Sequence, residues 1–209
     1  MHPGTNARPL SAAPLEAAPP EAVAALMAAR RTVLPKRLVT PGPGETELAG
    51  ILAAAATAPD HGGLVPWRFV VIPGSQRHRL ADAFEHALVA RDGEATAAQR
   101  AQAREKAFRA PVLMLAIATL GPDNEDIPPT ERLLSAGCAI QNILLMSTAL
   151  GFGSALTTGK AITSPGLRAL FSLAEGEEAL CFISIGTVLE QREGRARPSL
   201  DRFVTRLGD

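Results

Sequence analysis

A single α+β domain is the fold class this sequence predicts, on three observations. Three short runs rich in apolar and β-branched residues, 67–72, 112–119 and 180–188, have the length and content of strands. Segments with the apolar spacing of helices lie before and between them, at 21–31, 45–57, 75–91, 94–109, 130–150 and 164–171. The 209 residues suffice for one sizeable core, and nothing in the composition demands two.

Residues 1–20 carry Pro3, Pro9, Pro14, Pro19 and Pro20 among alanines, without the basic start and continuous apolar stretch of a signal peptide. A disordered leader is expected there, with one domain over 21–209. Pro20 suits the first turn of helix 21–31 and Pro35 blocks its continuation, so this helix ends at Arg30-Arg31. After the loop Pro41-Gly42-Pro43-Gly44, the helix over 45–57 puts Leu48, Ile51 and Leu52 on one face, and Pro59 stops it. Pro73-Gly74 closes the strand at 67–72, and Ser75 is expected to cap a third helix reaching Arg91. Residues 94–109 read as a surface helix, and Pro111 leads into the uninterrupted apolar strand 112–119, which must be covered on both faces.

Residues 121–129 are expected as loop and 130–150 as a buried central helix. Glu131, Arg132, Ser135, Gln141 and Asn142 interrupt that helix too often for a bilayer span. A glycine turn at Gly151 and Gly153, a short helix capped by Ser164 and the core strand 180–188 follow. The tail 192–209 is too charged for a core element; Phe203 and Val204 are its candidate anchors, and such a tail suits packing against a partner subunit.

Lys+Arg and Asp+Glu are both 21, so no basic field exists to attract nucleic acid or an anionic membrane, and small molecules are the expected partners. Cys138 and Cys181 lack metal-ligand spacing and sit in apolar runs, which reads as buried thiols in a reducing cytoplasm. No GxGxxG or GxxxxGK[ST] joins a strand to a helix, and no GxSxG or HExxH is present. The four histidines do not cluster at metal spacing; His78 and His86 lie on a polar helix face, whereas His61 follows a helix stop and precedes Gly62-Gly63, where backbone can approach a ligand closely. Paired arginines alone read as a solvated helix end, and Gly151 with Gly153 alone as a helix stop. Trp67 and Phe69 read as packing residues, and Arg109 as a helix-end charge.

Seven landmarks in order change that reading: Arg30-Arg31-Thr32, Thr57-Ala58-Pro59-Asp60-His61, Pro66-Trp67-Arg68-Phe69, Phe108-Arg109-Ala110-Pro111, Ser135-Ala136-Gly137-Cys138-Ala139, Gly151-Phe152-Gly153 and Ile185-Gly186-Thr187. Together they resemble the nitroreductase family of flavin mononucleotide (FMN) enzymes, in its small single-domain branch. The resemblance implies a mixed β-sheet flanked by helices, and an intertwined homodimer with each flavin at the subunit interface. It implies that Arg30, Arg31 and Thr32 bind the phosphate and ribityl chain, to which guanidinium is suited by its planar donors. Thr57 and His61 would reach the flavin from the other subunit, and Leu156, Thr157 and Thr158 would line its ring or phosphate side.

The chain also departs from that pattern. Leu156-Thr157-Thr158 stands where relatives have an aromatic residue, an arginine and a serine, so a stacking surface and a charge are missing. Lys160, Arg192, Arg195 or Arg197 could restore the charge. The implied mechanism is ping-pong: NADH or NADPH gives hydride to flavin N5 and leaves, and an acceptor such as a nitroaromatic or quinone takes two electrons. Arg31 or Lys160 would stabilise the anionic reduced flavin, and no acid-base side chain is required. The alternative is a flavin-binding carrier or sensor of the same fold with little turnover.

Overall fold

The computed structural model of the chain describes residues 18–121, 126–190 and 196–208. Most of the expected leader, part of the loop before the central helix, Arg192 and Arg195 lie outside the described residues. In chain order the elements are α1 (Pro20–Ala29), β1 (Leu38–Val39), α2 (Glu45–Ala55), β2 (Trp67–Val71), α3 (Arg77–Arg91), α4 (Ala97–Glu105), β3 (Val112–Thr119), α5 (Pro129–Ala149), β4 (Gly153–Thr157), α6 (Pro165–Leu170) and β5 (Glu177–Val188).

β5 is the spine of the sheet. One of its edges pairs with β3 and the other with β4, since both ladders use Phe182 through Ile185; β2 lies beyond β3, and β1 pairs with the last two residues of β5. Each ladder is antiparallel, and a parallel pairing enters at the isolated bridge between Thr32 and Ser154.

Helices cover both faces. Met114, Ala116 and Ala118 of β3 pack with Ile51 and Ala55 of α2 and with Ala139 and Ile143 of α5. The alternating Leu113, Leu115 and Ile117 pack with Leu80 of α3, Leu167 of α6 and Phe182 of β5. Two covered faces explain why β3 is apolar at successive positions rather than alternating. Buried Arg77 holds this second layer by donating to the carbonyls of Ile72, Ala107 and Pro111 at 2.9, 2.7 and 3.1 Å.

Several expectations need correction. Ser75 does not cap the third helix: it lies in a 3-10 turn over Gly74–Gln76, and α3 starts at Arg77 with no side-chain cap. The surface helix is shorter than 94–109, because Thr96 caps α4 by exchanging hydrogen bonds with Gln99. β5 begins at Glu177, and the strands β1 and β4 were not expected. The central helix is buried on one side only: Ala136, Ala139, Ile140 and Ile143 enter the core, whereas Leu133, Leu134, Met146 and Leu150 stay exposed. Cys138 shares this uncovered side, so only Cys181 is the expected buried thiol. Phe203 and Val204, the candidate anchors of the tail, are 64% and 51% exposed rather than buried.

Candidate functional site

Two groups of expected site residues form in different parts of the chain. The first is built where α1 ends. The Arg30 N–H reaches Leu26 O at 3.1 Å while its ψ of 115° turns the chain extended, so the helix stops at the two arginines, both half-buried. Thr32 then bridges Ser154, and the Val33 N–H donates to Ser154 O at 2.9 Å. This lays the arginine segment along the free edge of β4. Leu156 and Thr157 at the end of β4, and Thr158 and Lys160 beyond it, are all exposed.

A third cation joins the pair. Arg197 Nη2 donates to Arg30 O at 2.9 Å and Ala28 O at 3.4 Å, the carbonyl end of α1 where positive charge is favoured. Partial burial, then the charges of Arg197 and Arg31, push the Arg30 guanidinium below its ordinary value. Among the described residues neither Arg30 nor Arg197 has a carboxylate partner within 4 Å. Of the two described among the four basic residues weighed from the sequence, Lys160 and Arg197, it is Arg197 that hydrogen-bonds the end of α1 carrying the pair. The buried Ser154 hydroxyl beside Thr32 has no hydrogen-bond partner.

The second group follows α2. The N–H groups of Ala56, Thr57 and Ala58 fold back on the carbonyls of Ala53, Ala54 and Ala55. Thr57 Oγ1 donates to Ala54 O at 2.8 Å and accepts from Asn142 Nδ2 at 3.0 Å. Gly62 and Gly63 take left-handed φ values of 72° and 65°, and Val65 is strained at φ 46°, held by its N–H donating to Asp60 Oδ2 at 2.7 Å. His61 Nδ1 lies 2.9 Å from Glu131 Oε1 at the start of α5. Thr57 and His61 thus both rest on α5, and among the described residues no hydrogen bond or ion pair joins them to Arg30, Arg31 or Thr32 in one chain. Glu131 and Asn142 were read from the sequence only as polar interruptions of the central helix, and Ser154 not at all, because their partners lie far away along the chain.

Other landmarks are structural. Trp67 is buried and Phe69 packs against the core. Arg68 is committed to Glu177, with bonds of 2.6 and 2.8 Å, and Arg109 pairs with Glu105 one helical turn back at 3.0 Å. Among the described residues, no helix is long and apolar enough to cross a membrane.

Comparisons with known proteins agree with this layout. The model of the Nitroreductase family matches residues 27–187, which takes in both groups of site residues except Arg197. A Haemophilus influenzae protein named "Putative NAD(P)H nitroreductase" is 33% identical over 163 residues, 78% of this chain and 87% of that protein. A nitroreductase-like family protein from Bacillus cereus shares the fold with a TM-score of 0.75 and 20% identity, over 90% of this chain and 96% of that one. A nitroreductase from Bacteroides fragilis with bound FMN does so with a TM-score of 0.65 and 20% identity, over 88% and 97%. From the landmarks, the fold and these matches together, the chain belongs to the Nitroreductase family of oxidoreductases.

Proposed function

We propose that the chain is an FMN-dependent oxidoreductase, taking two electrons from NADH or NADPH and passing them by ping-pong to a small acceptor such as a nitroaromatic or quinone. The observation that carries this is the convergence of Arg30, Arg31 and Arg197 on one helix end. Arg30 and Arg197, like charges brought together with no carboxylate partner among the described residues, are costly unless an anion joins them, and planar guanidinium groups match the oxygens of a phosphate monoester. The Nitroreductase-family relative from Haemophilus influenzae carries NAD(P)H in its name, and the Bacteroides fragilis protein of the same fold holds FMN; both support the reading.

The residues fit the group. Arg30, Arg31 and Arg197 would hold the phosphate, and Thr32 the ribityl chain. Leu156 and Thr157 at the end of β4 and Thr158 just beyond it, all exposed, would line the flavin through backbone groups and hydroxyls. Bound FMN would supply the redox chemistry, accepting hydride at N5 and releasing two electrons to the acceptor. The chain's own residues bind and orient it, and positive charge from Arg31 or Lys160 would favour its anionic reduced form.

The working unit in this reading is a homodimer. The apolar side chains Leu133, Leu134 and Met146 on α5 and Leu150 just after it, with Met27 on α1 and Phe203 in the tail, are left exposed by their own chain. A second copy would cover them and bring its Thr57 and His61 to the flavin. The free thiols of Cys138 and Cys181 suit a reducing cytoplasm. Anaerobic addition of NADH or NADPH to the flavin-loaded protein tests the assignment. Bleaching of the flavin band is expected; a flavin that stays oxidised with both donors favours instead a carrier or sensor, the reading prompted by Leu156-Thr157-Thr158.

A further inference from the structure

The contact between His61 and Glu131 joins residues 70 apart in sequence, with side chains 62% and 43% exposed. An exposed pair of this kind stabilises a fold little, because solvent screens it and two side chains lose freedom. Its geometry, however, dictates which ring nitrogen of His61 carries hydrogen. Glu131 lies in the first turn of α5, where a negative charge is favoured. A carboxylate can only accept, so the nitrogen facing it, Nδ1, must be the donor. In a neutral imidazole that leaves Nε2 bare.

We propose that Glu131 is a positioning residue that fixes His61 in the Nδ1–H tautomer and so presents Nε2 outward as a hydrogen-bond acceptor. A hydroxyl or amide N–H of the bound flavin is the donor it would meet; this rests on the reading of His61 as a flavin-site residue. Unconstrained imidazole prefers hydrogen on Nε2, which would turn the same edge into a donor. Glu131 therefore reverses the polarity of the contact without touching the ligand. Left-handed Gly62 and Gly63 follow His61 directly, so the ring's position is set by a turn and its tautomer by a helix.

Nitrogen NMR of the FMN-loaded protein with ring-labelled histidine tests this, at a pH well above the ordinary histidine value of about 6.5. The His61 signals, assigned by their loss in His61→Gln, are expected to show a protonated Nδ1 and a bare Nε2. Glu131→Ala is expected to move them toward the Nε2–H form and to weaken FMN binding about fivefold, the worth of one hydrogen bond. In a His61→Ala background the same substitution is expected to weaken binding no further. An Nε2–H tautomer in the unsubstituted protein, ring signals that ignore Glu131→Ala, or an equal loss of affinity with and without His61 would each overturn the assignment. If no FMN binds at all, the proposed function fails, while the ring signals still decide the role of Glu131.

Discussion

Gly153→Ala probes the joint that holds the arginine segment against the sheet. Gly153 opens β4 opposite Gly186 of β5. A Cβ added there would collide with Val188 Cγ2 and meet Leu38 Cδ2 at 2.9 Å and Val33 Cγ2 at 3.2 Å. Val188 and Val33 are stiff at χ1, and the strand and bridge that carry them are pinned by backbone bonds, so the collision is relieved only by moving β4. Overpacking of this kind costs about 2 kcal/mol. For a chain of this size that lowers the Tm by roughly 4–8 °C. Because Val33 directly follows Thr32, the shift also moves the segment bearing Arg30 and Arg31, and FMN affinity should fall together with stability. Thermal unfolding by circular dichroism and a flavin fluorescence titration read the two effects. An unchanged Tm would refute the packing argument; a lowered Tm with unchanged affinity would refute the link between β4 and the arginines.

Three further outcomes follow from the same geometry. Arg197→Ala is expected to weaken FMN binding roughly 10- to 100-fold, the range for a charged hydrogen bond, with partial recovery in Arg197→Lys and no loss in Lys160→Ala, all by fluorescence titration. The Arg68 guanidinium, chiefly by its hydrogen bond, holds the Glu177 carboxyl below the usual carboxylate range. Stability from this pair is present above the unfolded carboxylate pKa of about 4.3 and lost as pH falls through the lower folded value, so Arg68→Met should flatten the acid limb of Tm against pH. Burial pushes the Cys181 thiol up to about 11. Its contribution is complete below the unfolded value of about 8.5 and is lost as pH rises toward the folded one, a limb that Cys181→Ala should remove.

The strands that make the sheet's centre were legible because their residues are apolar at successive positions, as a doubly covered strand requires. β4 was not, since Gly153-Ser154-Ala155 has no β-branched residue and becomes a strand only by pairing with β5. Helix ends were legible where proline fixes them, as at Pro20, and where Ser164 caps α6 ahead of Pro165, but not at the third and fourth helices, where Ser75 caps nothing and Thr96 does. An apolar helix such as α5 does not disclose in its sequence which side its own chain will cover, which is why Cys138 was misplaced. The site divides in the same way. Arg30, Arg31, Thr57 and His61 stand beside local punctuation that marks them. Asn142, Glu131 and Arg197 join them only through contacts spanning 85, 70 and 167 residues, which no local pattern encodes.

The central claim is that each flavin is held by arginines of one subunit and by His61 of the other. Mixed dimers test it most directly, pairing an Arg30→Ala subunit with a differently tagged His61→Ala subunit and titrating FMN into the purified heterodimer. In a shared site both substitutions fall on one flavin and leave the other untouched, so half of the sites should bind with unsubstituted affinity. If every site in the heterodimer is weakened and none binds normally, each flavin is held within one subunit and the account is wrong.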